Sequence, residues 1–241
     1  MDRHDVSESV TAAHVAQLHR ADLKIQDHFG CKGLTYWFDD KRKTAFCLIE
    51  ALNEQALRAL HDKAYQQIPH RIMVAVAGIV GSFSGSIEDP HPKEANTLNF
   101  MDDPAFRTIM FLAKEPLYAN YKVVHTSADT MTEFQEVVRH NLHTCDGRIV
   151  KENENHFLVS FKSVSKAVSA ALKIKTKINE PEFDNISLKP GLSSGVPVTE
   201  KKSIFEDTIT LAERICTMIP GEIIISADVA ALSGSENVHT F

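Results

Sequence analysis

Residues 81–105, GSFSGSIEDPHPKEANTLNFMDDPA, cut this chain in two. Pro90, Pro92 and Pro104, together with clustered Gly, Ser and Asp, discourage regular structure there. On either side the pattern alternates between strand-like and helix-like segments. At 241 residues the chain also exceeds a single domain of about 100 to 150 residues. The expected organisation is therefore one domain over 1–80, a linker over 81–105 and a second domain over 106–241.

In the first half, periodicity predicts a helix over 9–29, strands over 33–39 and 44–51 joined by the polar turn DDKRK, a helix over 53–65 and a strand over 71–80. With a short opening strand this is β-α-β-β-α-β, the ferredoxin-like arrangement. In the second half, strands are expected at 107–113, 148–153, 156–161, 186–195 and 222–229. Helices are expected up to Cys145, over 163–179, over 208–219 and after 229. The fold class is α+β.

Composition narrows the function. Hydrophobic residues at 43% and charged residues at 24% fit a globular protein, and the net charge of -6 excludes the broad positive field of a nucleic-acid or anionic-membrane binder. No stretch approaches the roughly 20 apolar residues of a membrane span, and Met1-Asp-Arg-His-Asp lacks signal-peptide character, so a cytoplasmic location is expected. Cys31, Cys47, Cys145 and Cys216 form no CxxC pair and read as buried reduced thiols. Of the 12 histidines, His4, His14, His19, His28, His61 and His70 crowd the first 70 residues.

The first helix carries an anomaly. At about 100° per residue, His19, Asp22 and Gln26 share a face with Val15, Leu18, Leu23, Ile25 and Phe29, while Gln17, Arg20, Lys24 and His28 lie opposite. Polar groups in an apolar stripe need partners, since burying each one unpaired costs about 1 to 3 kcal/mol. An imidazole and a carboxylate one turn apart suit nickel or zinc, with His4, Glu50 and His61 as further candidate ligands. A hydrogen-bonded network joining helix to sheet is the competing reading. His14, His28 and His70 fit solvated positions.

MDRHDV, AQLHRADLKIQDHFG, LTYWFD and TAFCLIEA, followed by a helix containing His61, are similar to a small domain family that includes a nickel-binding ferredoxin-like protein. The resemblance covers residues 1–80 and implies a homodimeric plait with histidine-based affinity for nickel or another divalent transition metal. His4, His19, Asp22, Gln26, Trp37, Glu50 and His61 fall on its polar and aromatic positions. Leu52 departs from a family Pro, and Tyr65-Gln66 from a family His-Gly, which removes one histidine ligand.

FRTIMFLA, GRIVKENENHFLVSF, LKPGLSSGVPV, SIFEDTITLAERI and PGEIIISADV resemble, in order, segments of the class III nucleotide cyclase catalytic domain. The second plait is thereby expected to be of cyclase-homology type. Cyclase chemistry needs two carboxylates to hold two divalent ions. The resemblance places Ala113 and Asn155 at those positions, so no magnesium or manganese pair is expected. It likewise puts Ser203 at the base-reading acid and Thr210 at the orienting asparagine, and retains Lys151 and Arg214. The hairpin glycines are replaced by Glu154, Asn155 and His156.

His140, His143 and Cys145 offer a weak metal pattern that helix capping accounts for, and GSFSGS lacks the Lys of a phosphate loop. The resulting expectation is a non-enzymatic, metal-binding regulatory homodimer, open to a protein or small-molecule partner. Its rivals are a metal-free interaction scaffold, an active nucleotidyl cyclase and an enzyme acting on a small molecule in the first plait.

Overall fold

The computed structural model describes residues 1–89, 101, 103–115, 118–119, 122–123, 127–183, 186–219 and 221–235. The chain divides into two units. The first is Met1–Phe106 together with Val196–Glu206, and the second is Arg107–Gly195 together with Asp207–Phe241.

In the first unit, β1 (Asp2–Asp5), β2 (Cys31–Asp39), β3 (Thr44–Ala51) and β4 (Arg71–Ile72) form one antiparallel sheet in the order β2-β3-β1-β4. The β2–β3 turn closes because Asp39 Oδ1 accepts from the amides of both Lys41 and Arg42 at 3.1 Å, a side chain replacing the backbone partners that a tight turn lacks. Helix α1 (Ala12–Ile25) starts where Thr11 Oγ1 accepts from His14 N, and His14 Nδ1 accepts in return from Thr11 N at 3.2 Å. His14 is thus a capping residue. Helix α2 (Glu54–Tyr65) is capped by Asn53 and ends at Gln66 with φ 57°. That left-handed conformation is the one a glycine adopts without strain.

Both helices cover one face of the sheet. Val15 and Ala16 of α1 and Leu57 and Leu60 of α2 pack with Tyr36, Phe38, Ala45, Cys47 and Ile49. Strand alternation sends Trp37, Phe46 and Leu48 to the opposite face, where they are also buried. The expected βαββαβ order is present.

In the second unit, β5 (Arg107–Glu115), β8 (Arg148–Glu152), β9 (His156–Phe161), β10 (Ser187–Gly195) and β11 (Ile224–Ile225) form a sheet ordered β11-β10-β5-β9-β8. The short strands β6 (Tyr118–Ala119) and β7 (Lys122–Val123) pair only with each other among the described residues. Helices α4 (Ala128–Thr144) and α5 (Val164–Ile178) bury Phe134, Val138, Ala167, Ala171 and Ile174 against Met110, Leu112 and Val159. Helix α6 (Glu206–Cys216) crosses β10 at its glycines. A Cβ on Gly191 would sit 2.3 Å from the Ala212 carbonyl oxygen, and one on Gly195 would sit 2.2 Å from Thr208 Oγ1. The glycines of LKPGLSSG are there to admit a helix.

Two expected strands are much shorter than their apolar runs. Over 71–80 only Arg71–Ile72 pair, and Ala77–Ser84 form helix α3, burying Val80 and Phe83 one turn apart. A continuous apolar run does not distinguish a strand from a buried helix. Over 222–229 only Ile224–Ile225 pair, because Ser226 Oγ accepts from Val229 N and opens α7 (Ala227–Ser235). Within the expected linker, residues 81–84 continue α3, whereas 90–100 and 102 lie outside the described residues. Among the described residues no helix is long and apolar enough to cross a membrane.

Candidate metal centre

Strand period places Asp2 and His4 on the same face of β1, pointing towards α1 and α2. Opposite them, α1 supplies Asp22, and α2 supplies His61 and, one turn on, Tyr65. Cys47 is the register partner of Asp2 across the β1–β3 pair and donates its amide to Asp2 Oδ1 at 3.2 Å. Six ionisable side chains therefore meet here, five of them buried in the core. Asp2 and His61 are fully buried, and His4, Asp22 and Cys47 nearly so.

His61 is the hub. Its Nε2 lies 3.0 Å from Asp2 Oδ2, and its Nδ1 lies 3.2 Å from Asp22 Oδ2 and in contact with the Tyr65 hydroxyl. Tyr65 also donates to Asp22 Oδ2 at 3.4 Å. An imidazolium donating from both nitrogens fits this setting. Burial opposes its charge, but the hydrogen bonds and charges of Asp2 and Asp22 outweigh burial and push its pKa up to about 9. Burial likewise disfavours charge on Asp2, yet His4 and His61 hold its carboxyl well below the usual range. Burial first, then Asp2 and Asp22, push the Cys47 thiol up, and burial first, then Cys47 and the same two carboxylates, push the Tyr65 hydroxyl up.

The network is incomplete at two atoms. His4 Nε2 is 3.5 Å from Asp2 Oδ1 without forming a hydrogen bond, and neither it nor Asp22 Oδ1 has a partner among the described residues. Asp2, His4 and Cys47 each bring one donor atom, and the three lie within 4.8 Å of one another. One imidazole nitrogen, one carboxylate and one thiol suit a borderline transition ion better than a hard cation.

Of the ligands expected from sequence, His4, Asp22 and His61 converge here. His19 does not join them: its Nε2 meets Asp89 Oδ1 at 2.9 Å, its ring lies 4.7 Å from Tyr36, and its Nδ1 has no partner among the described residues. Glu50 is exposed opposite Lys32. Gln26 Oε1 instead accepts from Gly33 N at 2.6 Å. Asp2 and Cys47 were not among the expected ligands, although the alternation of MDRHD puts Asp2 beside His4. Tyr65, where the resembled family has His, occupies the Nδ1 side of His61.

In the second unit, Ala113 and Asn155 are neighbours, since Lys114 N donates to Asn155 O at 2.7 Å. Neither is a carboxylate. The β8–β9 turn is closed by Asn153 Oδ1, which accepts from the amides of Asn155 and His156 at 2.9 Å in place of the glycines. Lys151 is exposed on β8, and Thr210 and Arg214 are exposed one turn apart on α6. Ser203 belongs to the segment grouped with the first unit, where its amide donates to Glu206 Oε2 at 2.9 Å.

Residues 1–74 match the family model described as nickel responsive protein SCO4226-like. SCO4226 from Streptomyces coelicolor A3(2) is 23% identical over 31% of this chain and 95% of that one, with a TM-score of 0.28. The monomeric guanylyl cyclase domain of the RhoGC fusion protein from the aquatic fungus Blastocladiella emersonii is 18% identical over 54% of this chain and 86% of its own, with a TM-score of 0.44. An adenylate/guanylate cyclase/hydrolase from Silicibacter pomeroyi is 21% identical over 56% of this chain and 85% of that chain, with a TM-score of 0.43. No curated protein matches the chain. Both resemblances seen in the sequence recur among these matches.

Proposed function

We propose that the first unit binds a nickel-class divalent ion at Asp2, His4 and Cys47, and that the second unit is a non-catalytic regulatory domain. The observation that carries the first part is His4, whose buried Nε2 makes no hydrogen bond and lies 3.5 Å from Asp2 Oδ1, in a cluster whose Asp2, His4 and Cys47 donor atoms lie within 4.8 Å of one another. Leaving a buried nitrogen unpaired costs about 1 to 3 kcal/mol, and a metal ion removes that penalty. The match of residues 1–74 to a nickel-responsive family supports the choice of ion. Asp2, His4 and Cys47 would hold it, and it would supply a cross-link between β1 and β3. His61 has both nitrogens engaged, so its role is to orient Asp2 from outside.

Metal analysis of untagged protein tests this reading, with about one equivalent of nickel or a neighbouring transition ion per chain expected. Protein that stays metal-free after nickel exposure returns the cluster to a plain hydrogen-bonded network and the chain to an interaction scaffold, the reading favoured by the satisfied nitrogens of His61.

For the second unit the supporting observation is Ala113 beside Asn155. Neither can hold the ion pair that cyclase chemistry requires. Incubation with ATP or GTP and manganese is expected to give no cyclic nucleotide. Product that disappears with Arg214→Ala overturns this assignment. A cytoplasmic homodimer completes the reading, and the solution mass tests its stoichiometry.

A further inference from the structure

Strand β1 has two faces and two sets of neighbours. Asp2 and His4 point into the cluster, while Arg3, between them, points the other way towards the loop Val196–Glu206, which the first unit includes. Arg3 Nε is fixed by Asp5 Oδ1 at 2.7 Å, and its Nη1 donates to Val198 O at 3.4 Å. Arg71, the register partner of Arg3 on β4, donates from Nη2 to Glu200 O at 2.8 Å and pairs through Nη1 with Glu200 Oε2 at 3.3 Å. Two adjacent guanidinium groups on one sheet face repel each other. The loop's carbonyls and the carboxylates of Asp5 and Glu200 offset that repulsion.

The loop is built to be held. Phe205 N donates to Pro197 O at 3.0 Å and closes it, and Phe205 takes φ 56°, a left-handed conformation that surrounding packing must hold for a residue of this size. Val198 is fully buried, and the Phe205 ring lies 5.0 Å from Phe83 of α3. The tip, Glu200–Ser203, is exposed. By sequence, the two ends of this loop continue into β10 and α6.

We propose that the Val196–Glu206 loop is the output of the Asp2–His4–Cys47 cluster: an ion bound on one face of β1 steadies the strand and, through Arg3 and its partner Arg71, the grip on the loop. This rests on the metal reading above. Any opening of the loop that requires β1 to loosen is then opposed by the binding free energy.

Hydrogen exchange of the full chain, with and without nickel, tests the coupling. At free nickel one hundred times Kd, the backbone amides between Val198 and Phe205 are expected to slow by up to about a hundredfold, the limit set by linkage for strictly coupled opening. The β3 amide of Cys47, next to the site, slows in parallel. In Arg3→Gln/Arg71→Gln the Cys47 amide is expected still to slow while the loop amides become insensitive to nickel. The single variant Arg71→Gln, which leaves β1 unaltered, is expected to reduce the loop response in part.

Nickel uptake with unchanged loop exchange in the wild-type chain overturns the coupling and leaves the metal reading standing. A loop response that survives intact in both variants also overturns it. Absence of nickel uptake overturns the metal reading and takes this inference with it.

Discussion

The two units invert each other's electrostatics. In the first, two carboxylates, two imidazoles and a thiol lie inside the core, where each must be matched by a neighbour. In the second, the positions that the cyclase resemblance marks for metal chemistry hold a methyl group and an amide, and the retained cations Lys151 and Arg214 face solvent. The buried cluster of facing ionisable groups is therefore a feature of the first unit, while the second buries Arg107 and a set of hydroxyls. In the second, fine tolerances belong to packing, as at Gly191 under α6.

The largest expected effect tests that contrast. His61→Ala removes the cation between Asp2 and Asp22 and leaves two carboxylates buried without it. A loss of about 3 to 5 kcal/mol is expected for metal-free protein in denaturant unfolding. A loss under about 1 kcal/mol would make the cluster incidental to the fold.

Acidity supplies the next test. His61 has a folded pKa of about 9, above its unfolded value of about 6.5. Its contribution is fully present below about pH 6.5 and disappears as pH rises through 9, a change of about 3 kcal/mol. Metal-free first-unit stability should therefore fall between pH 6.5 and 9, and His61→Ala should flatten that slope. In the second unit, Gly191→Ala forces a methyl into the Ala212 carbonyl and the Cys216 amide and is expected to cost about 1 to 3 kcal/mol, read as a lowered unfolding midpoint. Smallest is the effect of Lys151→Ala or Arg214→Ala, within about 0.5 kcal/mol by the same measurement, as befits exposed side chains.

The contrast also explains what could be read in advance. Where local chemistry decides, the sequence was legible: DDKRK contains the Asp39 that closes the first hairpin, and the apolar periodicity of 163–179 delimits α5 within a residue at each end. Where distant partners decide, it was not. His19 and Asp22 share a helical face, but Asp89, 70 residues away, engages His19, while His61 engages Asp22. Asp2 was legible in principle, because alternation alone sets it beside His4. RIMVAVAGIV could not be resolved locally, since strand and buried helix present the same apolar run. Nor does any local signal assign Val196–Glu206 to the first unit, because its anchors are Arg3 and Arg71.

The central claim is that the bare nitrogen of His4 belongs to a metal site. Calorimetric titration of untagged, chelator-treated protein with nickel, set beside the same titration of His4→Ala, tests it most directly. One ion per chain is expected in the wild type, with affinity lowered at least about tenfold in the variant. No stoichiometric heat in the wild type, or binding undiminished by the loss of His4, would contradict it.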